Sequence, residues 1–399
     1  MTNAIFVTFI ALLLAYVLSE IFRYFKLPRV IGQISAGIIL GLPIIKSQLF
    51  TNEILSVFSF ITNIGIILLF FFVGLEINLA KFKKNFKESS LIAIFNTLIP
   101  LTLGFIVGRF LFGFNNIASL VIGISVSVSS QAISLDILEE AKLLKSRIGN
   151  IILASGTVDD VFELLLISFI LIVFHSQLVG QLSFQKFIFD ILFFVGIVII
   201  FKILLIPFAL KVFEKDKSQA VLFMGALIIV LLMAYLSELF GVGSLIGALI
   251  AGILVRQTLL TGEDRKPWRK NEISHSIHII SFGFLIPLFF VDVGLKTDVY
   301  SLSSNIFLFL ILIIVDIFGT LAGRIIGVLL SKGSLEEGFI VGWGVLPKGD
   351  TEIVIATLAL NNGLINVSIF TTIITVALAS TFLAPIAFKL LIKKHNKTL

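Results

Sequence analysis

At 58% hydrophobic and 14% charged over 399 residues, with mean hydropathy +1.13, this chain lies far from a soluble domain, which is about 45–50% apolar and about 25% charged. The absence of cysteine excludes disulfides, thiolate metal sites and thiol chemistry, and the four histidines (His175, His275, His278 and His395) show no metal-ligand clustering beyond one pair near a helix start. The net charge of +6 would suit an anionic partner, but its placement, described below, argues for topology and against nucleic acid.

In chain order, apolar runs of about 20 residues predict thirteen spans, near 3–24, 28–46, 54–80, 90–113, 115–139, 147–175, 185–212, 218–239, 241–258, 272–296, 302–330, 334–360 and 366–392. The first has no basic leader and no small-residue cleavage pattern, so it reads as a retained span. Basic residues gather after the odd-numbered spans, from Arg23, Lys26 and Arg29 to Lys389, Lys393, Lys394 and Lys397. The positive-inside rule then places the N-terminus outside and the C-terminus in the cytoplasm of a cell-membrane protein.

The second span opens an internal echo. "RVIGQISAGIILG" (29–41) and "SLIGALIAGILV" (244–255) share I-G-x-x-x-A-G-I, and "LFFFVGLEI" (69–77) is followed in the second half by "LFFVDVGLK" (288–296). Two echoes in order, at offsets of about 215–220 residues and with opposite predicted orientation, predict the inverted repeat of secondary transporters. We place repeat 1 at about 28–175, a linker helix at 185–212 and repeat 2 at about 241–392, all within one transmembrane unit, 1–399, in which two subdomains interleave.

The fifth span is polar for hydrocarbon. "GISVSVSSQAISLDILEE" (123–140) carries Ser125, Ser127, Ser129, Ser130, Gln131 and Ser134. The sixth, "SGTVDDVFELLLISFILIVF" (155–174), holds Thr157, then Asp159 and Asp160 side by side, with Glu163 one turn on. One aspartate at a membrane midplane costs roughly 2.5–3.5 kcal/mol on insertion scales. Asp159 lies about 12 residues past Arg147, hence roughly 18 Å deep, and helical neighbours diverge by about 100°. One aspartate can therefore face a cation on the protein while the other faces a water-filled cavity. Glu163 either shares that cavity or caps a hydrogen-bonded cluster. Among basic residues away from the cytoplasmic clusters, Arg324 in "FGTLAGRIIGVLL" and Lys348 in "GWGVLPKGDTEIVIA" have the deepest apolar flanks. The second of these stretches sets Pro347 and Gly349 around Lys348, with Asp350 and Glu352 following. Both the fifth and the twelfth span are predicted to be broken, since freed carbonyls and hydroxyls can replace a cation's water shell.

With these residues in view, "LPRVIGQISAGIILG", "LLFFFVGLE", "TVDDV", "ELFGVGSLIGALIAG" and "LPKGDTEIVIA" resemble the signatures of monovalent cation:proton antiporters, in particular their second branch. The likeness runs from residue 27 to about 385. It implies an all-α fold of about 13 transmembrane helices with an inverted repeat, two crossing broken helices, a core domain and a dimerisation domain, hence a homodimer. It implies no cofactor; the partners are the transported ions and the bilayer. The site residues it implies are Asp160 as the group taking Na+ or a proton in turn, Asp159 paired to a later basic residue, and Ser129, Ser130 and Thr157 beside the ion. Arg324 matches the basic position of the family's G-basic-x-x-G (Gly323, Arg324, Gly327), where members with paired aspartates often have lysine, and Lys348 balances helix ends. Glu76, Glu163, Asp350 and Glu352 are auxiliary candidates. Asp-Asp in place of the Gln-Asp of potassium-efflux relatives points to sodium or lithium, with K+/H+ exchange as the alternative and a sodium-coupled organic-solute symporter of the same fold a further one. Enzymatic chemistry finds no triad, metal cluster or H-E-x-x-H pattern.

Overall fold

A backbone in hydrocarbon must satisfy its own amides and carbonyls, and a helix does so within one segment. The computed structural model describes residues 3–25, 27–76, 86–144, 146–156, 158–159, 162–163, 166, 184–208, 219–240, 242–259 and 278–398, and they form helices and connections with no strand among them. The helices are α1 (Ala4–Tyr24), α2 (Arg29–Leu40), α3 (Pro43–Leu49), α4 (Asn52–Glu76), α5 (Phe86–Ile106), α6 (Asn116–Ser127) and α7 (Gln131–Glu140). Next come α8, helical at 147–156, 158–159, 162–163 and 166, then α9 (Phe184–Ile200), α10 (Gln219–Leu239), α11 (Ser244–Leu259) and α12 (Ile286–Lys296). The chain closes with α13 (Val299–Ser304), α14 (Ile306–Leu330), α15 (Leu335–Val345), α16 (Asp350–Asn361) and α17 (Val367–Thr398). Each predicted span therefore coincides with helix over most of its described residues. The second differs in being a pair, α2 and α3, bent by 81°. Pro43 starts α3 there, lacking the amide that would continue α2.

The fifth and twelfth spans are broken as expected. Between α6 and α7, Val128 and Ser130 are extended (ψ 142° and 106°), and between α15 and α16 the chain leaves helix at 346–349. Asn115 starts α6 by accepting from the Ala118 amide at 2.7 Å, and Ser334 with Glu337 forms a capping box at the start of α15.

The helices fall into two units that interleave in sequence. One comprises Met1–Leu12, Phe50–Asn78 and Ile167–Phe289; the other comprises Leu13–Leu49, Leu79–Leu166 and Phe290–Leu399. These units cut across the repeat, because each contains helices from both halves. In the second unit α2, bearing the first copy of I-G-x-x-x-A-G-I, packs on α12, which bears the second copy of the other motif. A Cβ on Gly37 would stand 2.7 Å from Gly294 Cα. In the first unit α11 packs on α4 in the same way, and a Cβ on Gly252 would stand 2.9 Å from Gly74 Cα. Each repeat thus supplies one half of each glycine pair.

The correspondence reaches the helix ends. Lys46 Nζ donates to Leu295 O at 3.2 Å, and Arg256 Nη1 donates to Leu75 O at 2.7 Å. Leu295 and Leu75 hold matching positions in the echoed motif, and a basic group at a helix C-terminus meets both free carbonyls and the negative end of the dipole. A third echo also emerges: Leu18-Ser19-Glu20-Ile21-Phe22 matches Leu236-Ser237-Glu238-Leu239-Phe240. Ser19 Oγ donates to Arg29 O and Ser237 Oγ to Gly243 O, at 3.1 and 2.7 Å, so both serines tie the start of the following helix.

These contacts set a sign. Gly37→Ala and Gly252→Ala force a methyl onto backbone atoms and should destabilise the detergent-purified protein by about 1–3 kcal/mol each. Gly196→Ala, with nothing within 4 Å of the added carbon, should stabilise by about 0.5–1 kcal/mol through helix propensity. Thermal unfolding of the three variants checks the contrast, and equal effects at all three would refute the close-packing account.

Candidate functional site

Asp159 on α8 is 1% exposed and Arg324 on α14 is fully buried. The two form an ion pair through Arg324 Nη2 and Asp159 Oδ2. Arg324 Nη1 also donates to Ser155 Oγ at 2.7 Å, one turn before Asp159 on α8. Asn96 Nδ2 on α5 donates to Asp159 Oδ2 at 3.3 Å. The opposite oxygen, Asp159 Oδ1, receives no hydrogen bond. A glycine stripe on α14 makes this convergence possible. Cβ atoms on Gly319, Gly323 and Gly327 would stand 2.8, 3.0 and 2.7 Å from the Cα atoms of Pro100, Asn96 and Ile92. The spacing of four residues keeps all three on one face, so α5 lies against α14 and Asn96 reaches the pair.

The two breaks cross in the same unit. Ser130 N–H donates to Pro347 O at 2.8 Å, and a Cβ on Gly349 would stand 2.6 Å from Ser130 Cβ. Glycine is required there by contact with the other break. Ser129 N–H donates to Glu163 Oε1 at 2.7 Å, and Glu163 is 3% exposed. Of the two readings open for Glu163, capping a hydrogen-bonded cluster is the one this geometry supports. Ser130 Oγ accepts from the Ile133 amide and N-caps α7.

Lys348 is fully buried at its side chain. Its Nζ donates to Val126 O at 2.8 Å and Val128 O at 2.6 Å, and pairs with Asp316 Oδ1 on α14 at 2.9 Å. Ser380 Oγ on α17 donates to Asp316 Oδ2. Thr381 Oγ1 accepts from Lys348 N–H at 3.0 Å and donates to Lys348 O at 2.8 Å. Glu352, in the first turn of α16, is fully buried, and neither carboxylate oxygen receives a hydrogen bond.

Asp159, Arg324, Ser129, Ser130, Glu163, Lys348 and Glu352 therefore all belong to one unit. Asp160 and Thr157 lie outside the described residues. Glu76 ends α4 and Asp350 starts α16, with side chains outside the described set. Sequence reasoning missed Asp316, Asn96, Ser155 and the Ser380–Thr381 pair. Asp316 had a signal, since it is a lone carboxylate within "ILIIVDIFG". Asn96 and the hydroxyls had none, because single polar residues in membrane helices commonly bond within their own helix.

Buried ion pairs, two broken helices crossing inside the membrane and an inverted repeat define a secondary transporter. The family model described as "Sodium/hydrogen exchanger, transmembrane" matches residues 8–394. A Na(+)/H(+) antiporter of Enterococcus hirae is 31% identical over 376 residues, covering 94% of each chain. Probable Na(+)/H(+) antiporter 3 of Methanocaldococcus jannaschii is 30% identical over 405 residues, covering 100% of this chain and 99% of its own. Among solved structures, the sodium proton antiporter MjNhaP1 from Methanocaldococcus jannaschii superposes with TM-score 0.74 at 17% identity, covering 98% of both chains. The chain belongs to the sodium/hydrogen exchanger family, and its fold is that of a sodium/proton antiporter.

The Asp159–Arg324 pair carries a quantitative expectation. Asp159→Asn or Arg324→Gln alone strands a buried charge and should cost roughly 3–5 kcal/mol. The double variant should recover part of that loss, giving a non-additive cycle in thermal unfolding. Strict additivity would show that the two charges do not support each other.

Proposed function

We propose that this chain exchanges a monovalent cation, sodium above lithium, for protons by alternating access, with Asp160 as the group that takes either in turn. The observation that carries the reading is the neutralised neighbour. Arg324, Ser155 and Asn96 gather around Asp159, so its charge is compensated without the transported ion. Compensation of Asp159 leaves its sequence neighbour Asp160 as the carboxylate we assign to the transported ion. The unbonded Asp159 Oδ1 offers the ion a second oxygen, and Ser129, Ser130 and Thr157 are the candidates we assign to complete its shell. Cation and proton then compete for one carboxylate, and the site crosses only when filled.

Sodium is favoured by the adjacent aspartates and by the sodium/proton antiporters named above. Potassium exchange is the second reading, supported by a Na(+)/H(+)-K(+) antiporter of Bacillus cereus, 26% identical over 90% of this chain. We place the protein in the cell membrane as a homodimer with the N-terminus outside and the C-terminus in the cytoplasm. Glu76, Asp350 and Glu352 are auxiliary, and Glu163 holds the break through Ser129.

In proteoliposomes Asp160→Asn should abolish sodium-driven proton movement and leave a folded, monodisperse protein, since the change removes charge and almost no volume. Normal exchange by that variant would remove Asp160 from the mechanism. Screening sodium, lithium, potassium and an organic anion in the same vesicles separates the alternative substrates.

Arg324 also bears on stoichiometry. A buried lysine can give up its proton when a cation arrives and so add a second proton to the cycle, whereas the arginine guanidinium stays charged. We therefore propose one proton per cation. Sodium-driven proton flux should be the same with and without a potassium/valinomycin voltage clamp; a sharp rise on clamping would establish net charge movement and overturn this stoichiometry.

A further inference from the structure

Asn96 on α5 is 1% exposed, and its carboxamide is used at one end only. Nδ2 donates to Asp159 Oδ2 at 3.3 Å, while Oδ1 is buried and accepts no hydrogen bond. A second oxygen of the same residue is set loose by the chain itself. Pro100 stands inside α5, four residues on, and has no amide proton to give to Asn96 O. Asp159 Oδ1 is likewise buried and unbonded, and the single unbonded donor on the Asn96, Asp159 and Arg324 side chains is Arg324 Nε. Oxygen acceptors are therefore in surplus at this contact, in surroundings where an unmet acceptor is costly.

The helix that carries these oxygens is held on two faces. A Cβ on Gly323, the residue before Arg324, would stand 3.0 Å from Asn96 Cα, so α14 sets the position of Asn96 directly. On another face a Cβ on Gly123 would stand 2.5 Å from Leu101 O, and one on Gly104 would stand 2.8 Å from Gly123 Cα. Helix α5 is thus as close to α6, which runs into the break before Ser129, as it is to α14. Oxygens held in place in this way can replace part of a cation's water shell with little reordering. Both Asn96 oxygens are neutral, so using them leaves the charge balance between Asp159 and Arg324 as it is.

We infer that Asn96 is a ligand of the transported cation, giving it the carboxamide Oδ1 and the backbone oxygen that Pro100 leaves free. The amide then works at both ends: its nitrogen steadies Asp159 and its oxygen meets the ion that Asp159 Oδ1 also faces. This assignment rests on the exchange reading proposed above, in which the ion lies against the aspartates. It adds α5 to the elements that hold the ion, and it makes Pro100 part of the site through the hydrogen bond it withholds.

Binding is read in detergent at alkaline pH, as the saturable rise of the thermal midpoint with sodium, with choline holding the ionic strength constant. Asn96→Leu keeps the size and removes both polar atoms of the carboxamide, and should raise the half-saturating sodium concentration about tenfold. Asn96→Asp keeps an acceptor and loses the donor, so it should bind sodium at least as tightly as wild type. A residue that served only as a donor to Asp159 would give the opposite order. Pro100→Ala restores an amide to Asn96 O, so its sodium-free midpoint should rise while half-saturation moves up about threefold. A purely structural role does not produce those two changes together. Wild-type half-saturation in Asn96→Leu or in Pro100→Ala, weaker binding by Asn96→Asp than by Asn96→Leu, or no saturable response in wild type each overturns the inference. Should Asn96→Leu not be recovered folded, the other two variants carry the decision. Failure of the exchange reading appears elsewhere, as a sodium response that survives in Asp160→Asn, and the Asn96 and Pro100 comparisons are scored independently of it.

Discussion

Two helices that end in the middle of a membrane leave amides and carbonyls with no water to meet them, and the second unit is organised around that constraint. The breaks answer it by serving each other. Ser130 N–H goes to Pro347 O, Ser129 N–H goes to Glu163, and the Val126 and Val128 carbonyls go to Lys348. Close approach is possible because Gly349 carries no Cβ where it faces Ser130. The positive charge that satisfies the carbonyls needs compensation of its own, which Asp316 supplies from α14, and Asp316 in turn needs Ser380 from α17. One backbone irregularity thus recruits side chains from three further helices.

Helix α14 links this arrangement to the aspartates. Asp316 and Arg324 lie eight residues apart, about 12 Å along the axis; the first is bound to the crossing and the second to Asp159. The glycine stripe between and beyond them fixes α5 against the same helix. Displacing α14 from α8 or from the crossing would separate a buried ion pair, at roughly 3–5 kcal/mol for each. A conformational change that keeps both pairs must carry α14, α8 and the two breaks together, as one body. Local opening at a single helix does not meet that requirement.

The glycine pairs show a different economy. The same solution, glycine against glycine with a basic side chain closing the partner helix, is used at Gly37–Gly294 with Lys46 and at Gly252–Gly74 with Arg256. Because each repeat contributes one member to each pair, neither repeat can complete this packing alone. That is a physical reason for the two compact units to cut across the two sequence halves.

Much of this was legible in the linear chain, for reasons that can be named. Hydrocarbon permits so few backbone solutions that apolar length alone predicts helices, and the described residues of the predicted spans are helix apart from the breaks and short turns. Proline, glycine and serine clusters marked both breaks, and the cost of charge in a bilayer marked Asp159, Arg324 and Lys348. What the sequence could not express was partnership. Arg324 could have met any deep carboxylate, and only the packing of α14 against α5 and α8 brings it to Asp159 with Asn96 and Ser155 in attendance. Asp316 carried the same signal as the other acids but had no sequence neighbour to explain it; its meaning comes from Lys348, 32 positions away. The sequence by itself determined which segments cross, where two of them fail as helices and which charges need compensation, because those follow from the solvent. The tertiary structure decided which charge answers which, because that depends on how closely helix faces approach, and here glycine and the crossing set the approach.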